Sequence, residues 1–292
     1  MPTLLHASDL HFGKHFDPVA ARAFRESLDS LAPDLIALSG DFTQRAKVSE
    51  YEDAQEFLGG LPEIPLVVTP GNHDVPLYRV WERLFFPFRN YRQHVSAELD
   101  SVTRIRGATV VALSSASPHG AIVNGKIRDR QLRFAARAFQ TAPRDDLRVL
   151  VTHHNLAPAP DCLPEQVLPR HRTRLEALVG LGVDLVLAGH LHRGYLADSR
   201  DFLPDGDRDY GMLLVHSGTT TSRRGRGREA RRNSFNVVAV TEDRMQVTHF
   251  VLSVEDERFV PTSTHAFPRR GSMALNSAPA HGAASERGGK GR

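Results

Sequence analysis

Apolar runs of five residues recur along this chain, and five of them end in residues that bind metals. Thr3–Ala7 leads into Asp9-Leu10-His11, Leu35–Ser39 into Gly40-Asp41, and Pro65–Thr69 into Gly71-Asn72-His73-Asp74. Arg148–Thr152 leads into His153-His154, and Asp184–Ala188 into Gly189-His190-Leu191-His192. Runs this short and this continuous read as strands buried on both faces. Between them Pro18–Leu31, Lys47–Leu58, Asp129–Phe139 and Arg170–Leu181 carry helical periodicity. Strand alternating with helix requires an α/β fold and puts the polar motifs at the C-terminal ends of strands, where open α/β sheets build their sites. Thr109–Leu113 and Met212–His216 continue the pattern, and Ser234–Thr241 with Met245–Leu252 read as an antiparallel pair around Glu242-Asp243.

The motifs supply two carboxylates, one amide and four imidazoles. In an extended segment residues i and i+2 point to the same side, so Asp9 with His11, and His190 with His192, each present two ligands in one direction. A carboxylate has two oxygens, which lets Asp41 bridge two ions. Imidazoles mixed with carboxylates suit Mn, Fe, Zn or Co better than Ca, which takes all-oxygen shells. Two carboxylates against two divalent ions leave a formal charge of about +2, which favours an anionic phosphoryl group over a neutral ester.

The ordered set DxH, GD, GNHD, H and GHxH resembles the calcineurin-like metallophosphoesterase superfamily over roughly residues 3 to 252. Ser8-Asp9-Leu10-His11-Phe12-Gly13 with Ser39-Gly40-Asp41-Phe42-Thr43 is most similar to the bacterial class III cyclic nucleotide phosphodiesterase group. The resemblance implies a two-sheet β-sandwich flanked by helices. It also implies one ion held by Asp9, His11, Asp41 and His192, and a second by Asp41, Asn72, His153 and His190. The reaction it implies is hydrolysis by in-line attack of a metal-bound hydroxide on phosphorus. His73 is then placed to meet the substrate phosphate or protonate the leaving oxygen, and Asp74 to orient His73. His153 and His154 cannot be equivalent ligands, because neighbouring strand residues face opposite ways. The resemblance assigns His153 to the metal and leaves His154 supporting it or facing substrate.

Length and composition fit one catalytic domain, 1–267, followed by a basic tail, 268–292. At 292 residues and 40% hydrophobic the chain can bury a large core. Five of the tail's residues are basic and one acidic, so the tail carries +4 of a net +3 and the body carries −1. A body without basic excess argues against a nuclease, and a tail rich in Gly, Ala, Ser and Pro is expected to be disordered. The single cysteine, Cys162, excludes an internal disulfide and fits a reducing, cytoplasmic setting. No apolar run reaches the roughly eighteen residues of a membrane span. Cleavage of a signal peptide would remove Asp9 and His11, so none is expected.

Two regions outside the ligands bear on the substrate. Residues 75–100 open with a stretch dense in aromatics and arginine. As a lid, its Arg79 and Arg83 would hold phosphate and its rings would stack a base or cover an acyl chain. Alternatively Trp81, Phe85 and Phe88 are the buried face of a helix. Ser222–Arg232 holds six arginines, which either reach a substrate phosphate, Arg223 first, or decorate a flexible solvated hairpin. The reading is a dinuclear phosphodiesterase acting on a small phosphoester such as a cyclic nucleotide. The alternatives are a pyrophosphohydrolase of a nucleotide-linked lipid precursor, a nuclease, and a metal-free scaffold.

Overall fold

The computed structural model describes residues 1–120, 122–159, 167–203 and 211–269. Cys162 and residues 270–292 lie outside them. Twelve strands are described in two sheets of six. The first sheet contains β1 (Thr3–Ala7), β2 (Leu35–Leu38), β3 (Leu66–Val68), β10 (Ser234–Val240), β11 (Arg244–Ser253) and β12 (Arg258–Pro268), in the order β12-β11-β10-β1-β2-β3. The second contains β4 (Ser101–Ile105), β5 (Ala108–Ala112), β6 (Leu147–Val151), β7 (Leu185–Ala188), β8 (Tyr195–Asp198) and β9 (Leu213–His216), in the order β4-β5-β6-β7-β9-β8.

The alternation of side chains along each strand explains the four-layer stack. Leu4, Leu35 and Ala37 of the first sheet meet Val149, Val151 and Leu187 of the second in a core between the sheets. Their neighbours Leu5, Ile36 and Leu38 point the other way, into a core shared with Phe24 and Leu28 of α1 (Pro18–Leu31) and Tyr51 and Phe57 of α2 (Val48–Gly59). On the far side Leu150 and Val186 pack with Phe139 of α5 (Asp129–Gln140) and Leu175 of α6 (His171–Gly180). Because both faces are buried, these strands carry no alternating polar positions and read as solid apolar runs. Helix α1 begins where its sequence says it should. Asp17 caps it by accepting from the Val19 and Ala20 amides, and Pro18 occupies a first-turn position where no amide is needed.

Strands β4, β8 and β12 escape a pattern reading. The exposed β12 pairs with β11 through ten Cα partners and bulges at Thr262, opposite His249 and Phe250 of β11, which scrambles its alternation. It runs to Pro268, and the Arg269 amide donates to the Asp243 carbonyl at 2.9 Å. The folded body therefore extends two residues past the boundary at 267. Among the described residues no helix is long and apolar enough to cross a membrane.

Candidate metal centre

The parallel strands β1 and β2 of one sheet, and β6 and β7 of the other, end along one edge of the sandwich, and β3 ends beside them. The loops that follow bring all seven expected ligands together. Asp9 Oδ1 lies 3.2 Å from His192 Nε2 and 3.5 Å from His11 Nε2, while Asp41 Oδ2 lies 3.7 Å from His11 Nε2. On the other side of Asp41, the same Oδ2 is 3.3 Å from His153 Nε2. Asn72 Oδ1 is 3.1 Å from His153 Nε2 and 3.0 Å from His190 Nδ1. Each set draws on both sheets, so neither forms without the sandwich.

The backbone that delivers these ligands is not the extended one that the i, i+2 argument assumes. Strand β1 stops at Ala7 and β7 at Ala188, and Asp9, His11, Asp41, His190 and His192 all have positive φ, between 50° and 71°. That conformation is costly for residues with a Cβ. The ligand loops after β1, β2 and β7 turn sharply at these residues, which is why their side chains converge rather than project in parallel. Glycine is needed where loops touch. A Cβ on Gly71 would sit 2.1 Å from Asp41 Oδ1, and one on Gly189 1.8 Å from Ser8 Oγ.

Hydrogen bonding leaves the ligand atoms free. Asp9 Oδ2 accepts from the His190 amide at 2.9 Å and Asp41 Oδ1 from the His73 amide at 2.8 Å. The other oxygens, Asp9 Oδ1 and Asp41 Oδ2, are buried and accept no hydrogen bond among the described residues. His153 Nδ1 donates to the Ser39 carbonyl at 2.7 Å and His192 Nδ1 to the Arg224 carbonyl at 3.2 Å, which turns both Nε2 atoms toward the carboxylates. Two orphaned anionic oxygens ringed by imidazole nitrogens fit a pair of cations. Burial alone would raise the Asp9 carboxyl, yet His192 and His11 hold it well below the usual range; for Asp41 the same opposition is won by His153 and His73. Burial pushes His11 down to about 4 and His190 to about 3, so both keep lone pairs for coordination. Against burial, Asp41 lifts His153 to about 9.

Four sequence expectations change here. Asp74 does not touch the His73 ring. It ties the loop after β2 to its own loop after β3 by accepting from the Phe42, Thr43 and Gly71 amides at 3.2, 2.9 and 2.9 Å, and burial beside Asp41 raises it to about 7. His73 is oriented instead by the Gln44 carbonyl, to which its Nδ1 donates at 2.8 Å. Of the two places left open for His154, the structure puts it beside His190, fully buried, with Ser115 Oγ 2.7 Å from its Nδ1. Arg79 and Arg83 turn to main-chain carbonyls of Ala46 and Leu77, and Arg223 pairs with Asp17 at 3.0 Å on the surface. None of these three lines the cavity over the ligands.

Among the arginines that do, Arg224 stands against His73. Its Nη1 stands 3.0 Å from His73 Nε2 and 3.4 Å from Gln44 Oε1, at the mouth of the site. Sequence cannot pick it out, because Arg223 and Arg224 are adjacent and either could face inward. The loop is pinned rather than flexible. The Arg226 amide donates to the His192 carbonyl at 2.9 Å, and Glu229 holds the Gly194 amide, the Ser234 hydroxyl and His249. The cavity encloses about 740 Å³. Arg193, Arg224 and Arg226 give it basic lining residues, and Val75, Leu77, Tyr78, Ile122 and Val123 give it apolar ones.

The family model for calcineurin-like phosphoesterases matches residues 2–194, about two thirds of the chain, a span that holds all seven expected ligands from Asp9 to His192. The chain belongs to the calcineurin-like phosphoesterase family. Its relatives fit that placement. A Synechococcus protein named a probable cyclic nucleotide phosphodiesterase is 27% identical over 194 residues, 61% of this chain and 65% of its own length. Among solved structures, purple acid phosphatase PPD1 from yellow lupin superposes with a TM-score of 0.66 at 11% identity, covering 97% of this phosphoesterase and 57% of the lupin chain. A dimetal phosphatase from Danio rerio gives 0.64 at 12%, over 92% of this chain and all of its own. At such identities the superpositions speak for the fold alone.

Proposed function

We propose that this chain is a dinuclear metal-dependent phosphodiesterase acting on cyclic nucleotides or similar phosphodiesters. The observation that carries the reading is Asp41, whose one unbonded oxygen faces histidines of both ligand sets. One ion would be held by Asp9, His11, Asp41 and His192, and the other by Asp41, Asn72, His153 and His190. Manganese or iron, or zinc or cobalt, suits these donors. When bound, such a pair polarises phosphoryl oxygens and acidifies water.

The chain's own residues would do the rest. Arg224 would bind a non-bridging phosphoryl oxygen with a charge-assisted hydrogen bond. His73, with Nδ1 tied to Gln44, offers Nε2 to the cavity and would carry a proton from that atom to the leaving oxygen as the ester bond breaks. The name of the Synechococcus relative supports the cyclic nucleotide class. A cytoplasmic setting belongs to the same reading and rests on the lone cysteine.

A second reading has its own observation. The cavity's basic and apolar lining suits a substrate with several anionic groups and an apolar part, as in a nucleotide-linked lipid pyrophosphate. The test is hydrolysis of bis-p-nitrophenyl phosphate, p-nitrophenyl phosphate and cyclic AMP by Mn²⁺-reconstituted protein, with Asp41→Ala as the blank. Diester and cyclic AMP turnover absent from the blank supports the first reading. Diester turnover without cyclic AMP turnover moves the assignment to the second, and monoester turnover alone refutes both.

A further inference from the structure

Beside the cavity the chain leaves a group of large aromatic side chains in solvent. Tyr78 is 72% exposed, Trp81 76%, and Phe85 and Phe86 63% each. These residues span the start and end of α3 (Val80–Phe85), a short helix that buries none of its own side chains. Leu77, Val80 and Leu84 are exposed with them. The alternative in which Trp81 and Phe85 form the buried face of a helix is therefore excluded. Scattered exposed leucines mean little, but a contiguous run of aromatic rings marks an interaction surface. The rings of Trp81 and Phe85 lie parallel, 5.9 Å apart at an interplanar angle of 8°, and so present one face.

The surroundings of this face are cationic. The Arg45 guanidinium lies over the Tyr78 ring at 5.3 Å, and Arg79, paired with Glu82 at 2.8 Å, and Arg83 flank Trp81 in the chain. From 77 to 92 there are four arginines and one acidic residue, Glu82. Leu77 and Tyr78 also line the cavity, so the exposed face continues directly from the site.

We propose that this face docks the protein on an anionic lipid surface, with Trp81, Phe85 and Phe86 inserted at headgroup depth and the arginines against lipid phosphates. Tryptophan, tyrosine and phenylalanine beside arginine are the side chains that partition to that boundary. A basic surface also gains from an anionic leaflet. A second copy of the chain is the poorer occupant, because a two-fold contact would set the same arginines against one another. Docked in this way, the cavity opens at the headgroup plane. The inference concerns where the enzyme sits and stands whichever phosphodiester it cleaves.

The experiment uses the full chain, in which Trp81 is the sole tryptophan. Trp81 emission and co-sedimentation are followed against vesicles of phosphatidylcholine, alone and mixed with phosphatidylglycerol. The expected result is a blue shift and sedimentation with the mixed vesicles. A Phe85→Ser/Phe86→Ser double variant should lose at least about tenfold in vesicle affinity while hydrolysing a soluble diester as wild type does. Both substituted side chains are exposed, so the fold is not at stake. Sedimentation without a Trp81 shift would assign binding to the basic residues after 268 and overturn the proposal. So would a double variant that binds as wild type, an unchanged emission, or a blue shift that follows protein concentration without lipid.

Discussion

Arg224→Ala removes the guanidinium that stands against His73, and its effect can be set beforehand. Arg224 is half-buried, burial lowers its pKa, and Asp41 and Asp9 oppose that by drawing it toward the site. A hydrogen bond from such a group to a phosphoryl oxygen is worth about 1.5–3 kcal/mol. At about 1.4 kcal/mol per decade, kcat/KM should fall about 10- to 150-fold. Metal content should not change, because the group that orients His192 is the main-chain carbonyl of residue 224, which alanine keeps. Arg224→Lys, which keeps the charge and loses the fork, should fall between. Arg223→Ala is the control. Its side chain is 67% exposed and paired with Asp17, an interaction worth at most about 1 kcal/mol to stability, and turnover should stay within about twofold. The assay is steady-state hydrolysis of bis-p-nitrophenyl phosphate by Mn²⁺-reconstituted protein. Equal losses in the two variants, or none in Arg224→Ala, would refute the placement of this arginine on the substrate.

Other consequences follow from the same geometry. His73→Ala should keep its metal and slow turnover of a poor leaving group by about 10²–10⁴-fold, with a smaller effect on p-nitrophenolate, which needs no proton; equal effects on both would remove the acid role. Asp74→Ala strands the Phe42, Thr43 and Gly71 amides, and at about 1 kcal/mol or more for each buried donor it should cost on the order of 3 kcal/mol in urea unfolding. An unchanged midpoint would contradict the clasp. His6 and His216 are buried and neutral, with pKa values pushed by burial to about 3 and about 4. Below about pH 6.5 the unfolded chain protonates both and the fold does not, so their contribution is present above pH 6.5 and is lost as pH falls toward those values. By pH 5 each should cost about 2 kcal/mol, and denaturation curves at pH 7.5 and 5.0 that match would show the rings are not held neutral.

The parts of this molecule that sequence discloses are those fixed by periodicity and by residue type. The runs behind β1, β2, β6 and β7 are legible because both faces of each strand are buried, and the ligands because few other roles use Asp, Asn and His in that order. What escapes depends on distance in three dimensions. Asp74 follows His73 in the chain, so orienting that ring looks natural, yet its oxygens reach amides of residues 42, 43 and 71 across the loop junction. Arg223 and Arg224 are indistinguishable as letters and face opposite sides of one loop. The aromatic stretch around Trp81 reads equally as core or lid, and its exposure shows that it is not core. Positive φ at five ligand positions is likewise invisible, since non-glycine residues rarely announce it.

The central claim is that Asp41 is shared by two ions, and metal stoichiometry tests it most directly. Wild-type protein reconstituted with Mn²⁺ and analysed by elemental mass spectrometry should hold two ions per chain. His192→Ala should hold one, and Asp41→Ala should lose both together. An Asp41→Ala variant that retains one tightly held ion, or a wild type that saturates at one, would contradict the shared carboxylate and with it the dinuclear site.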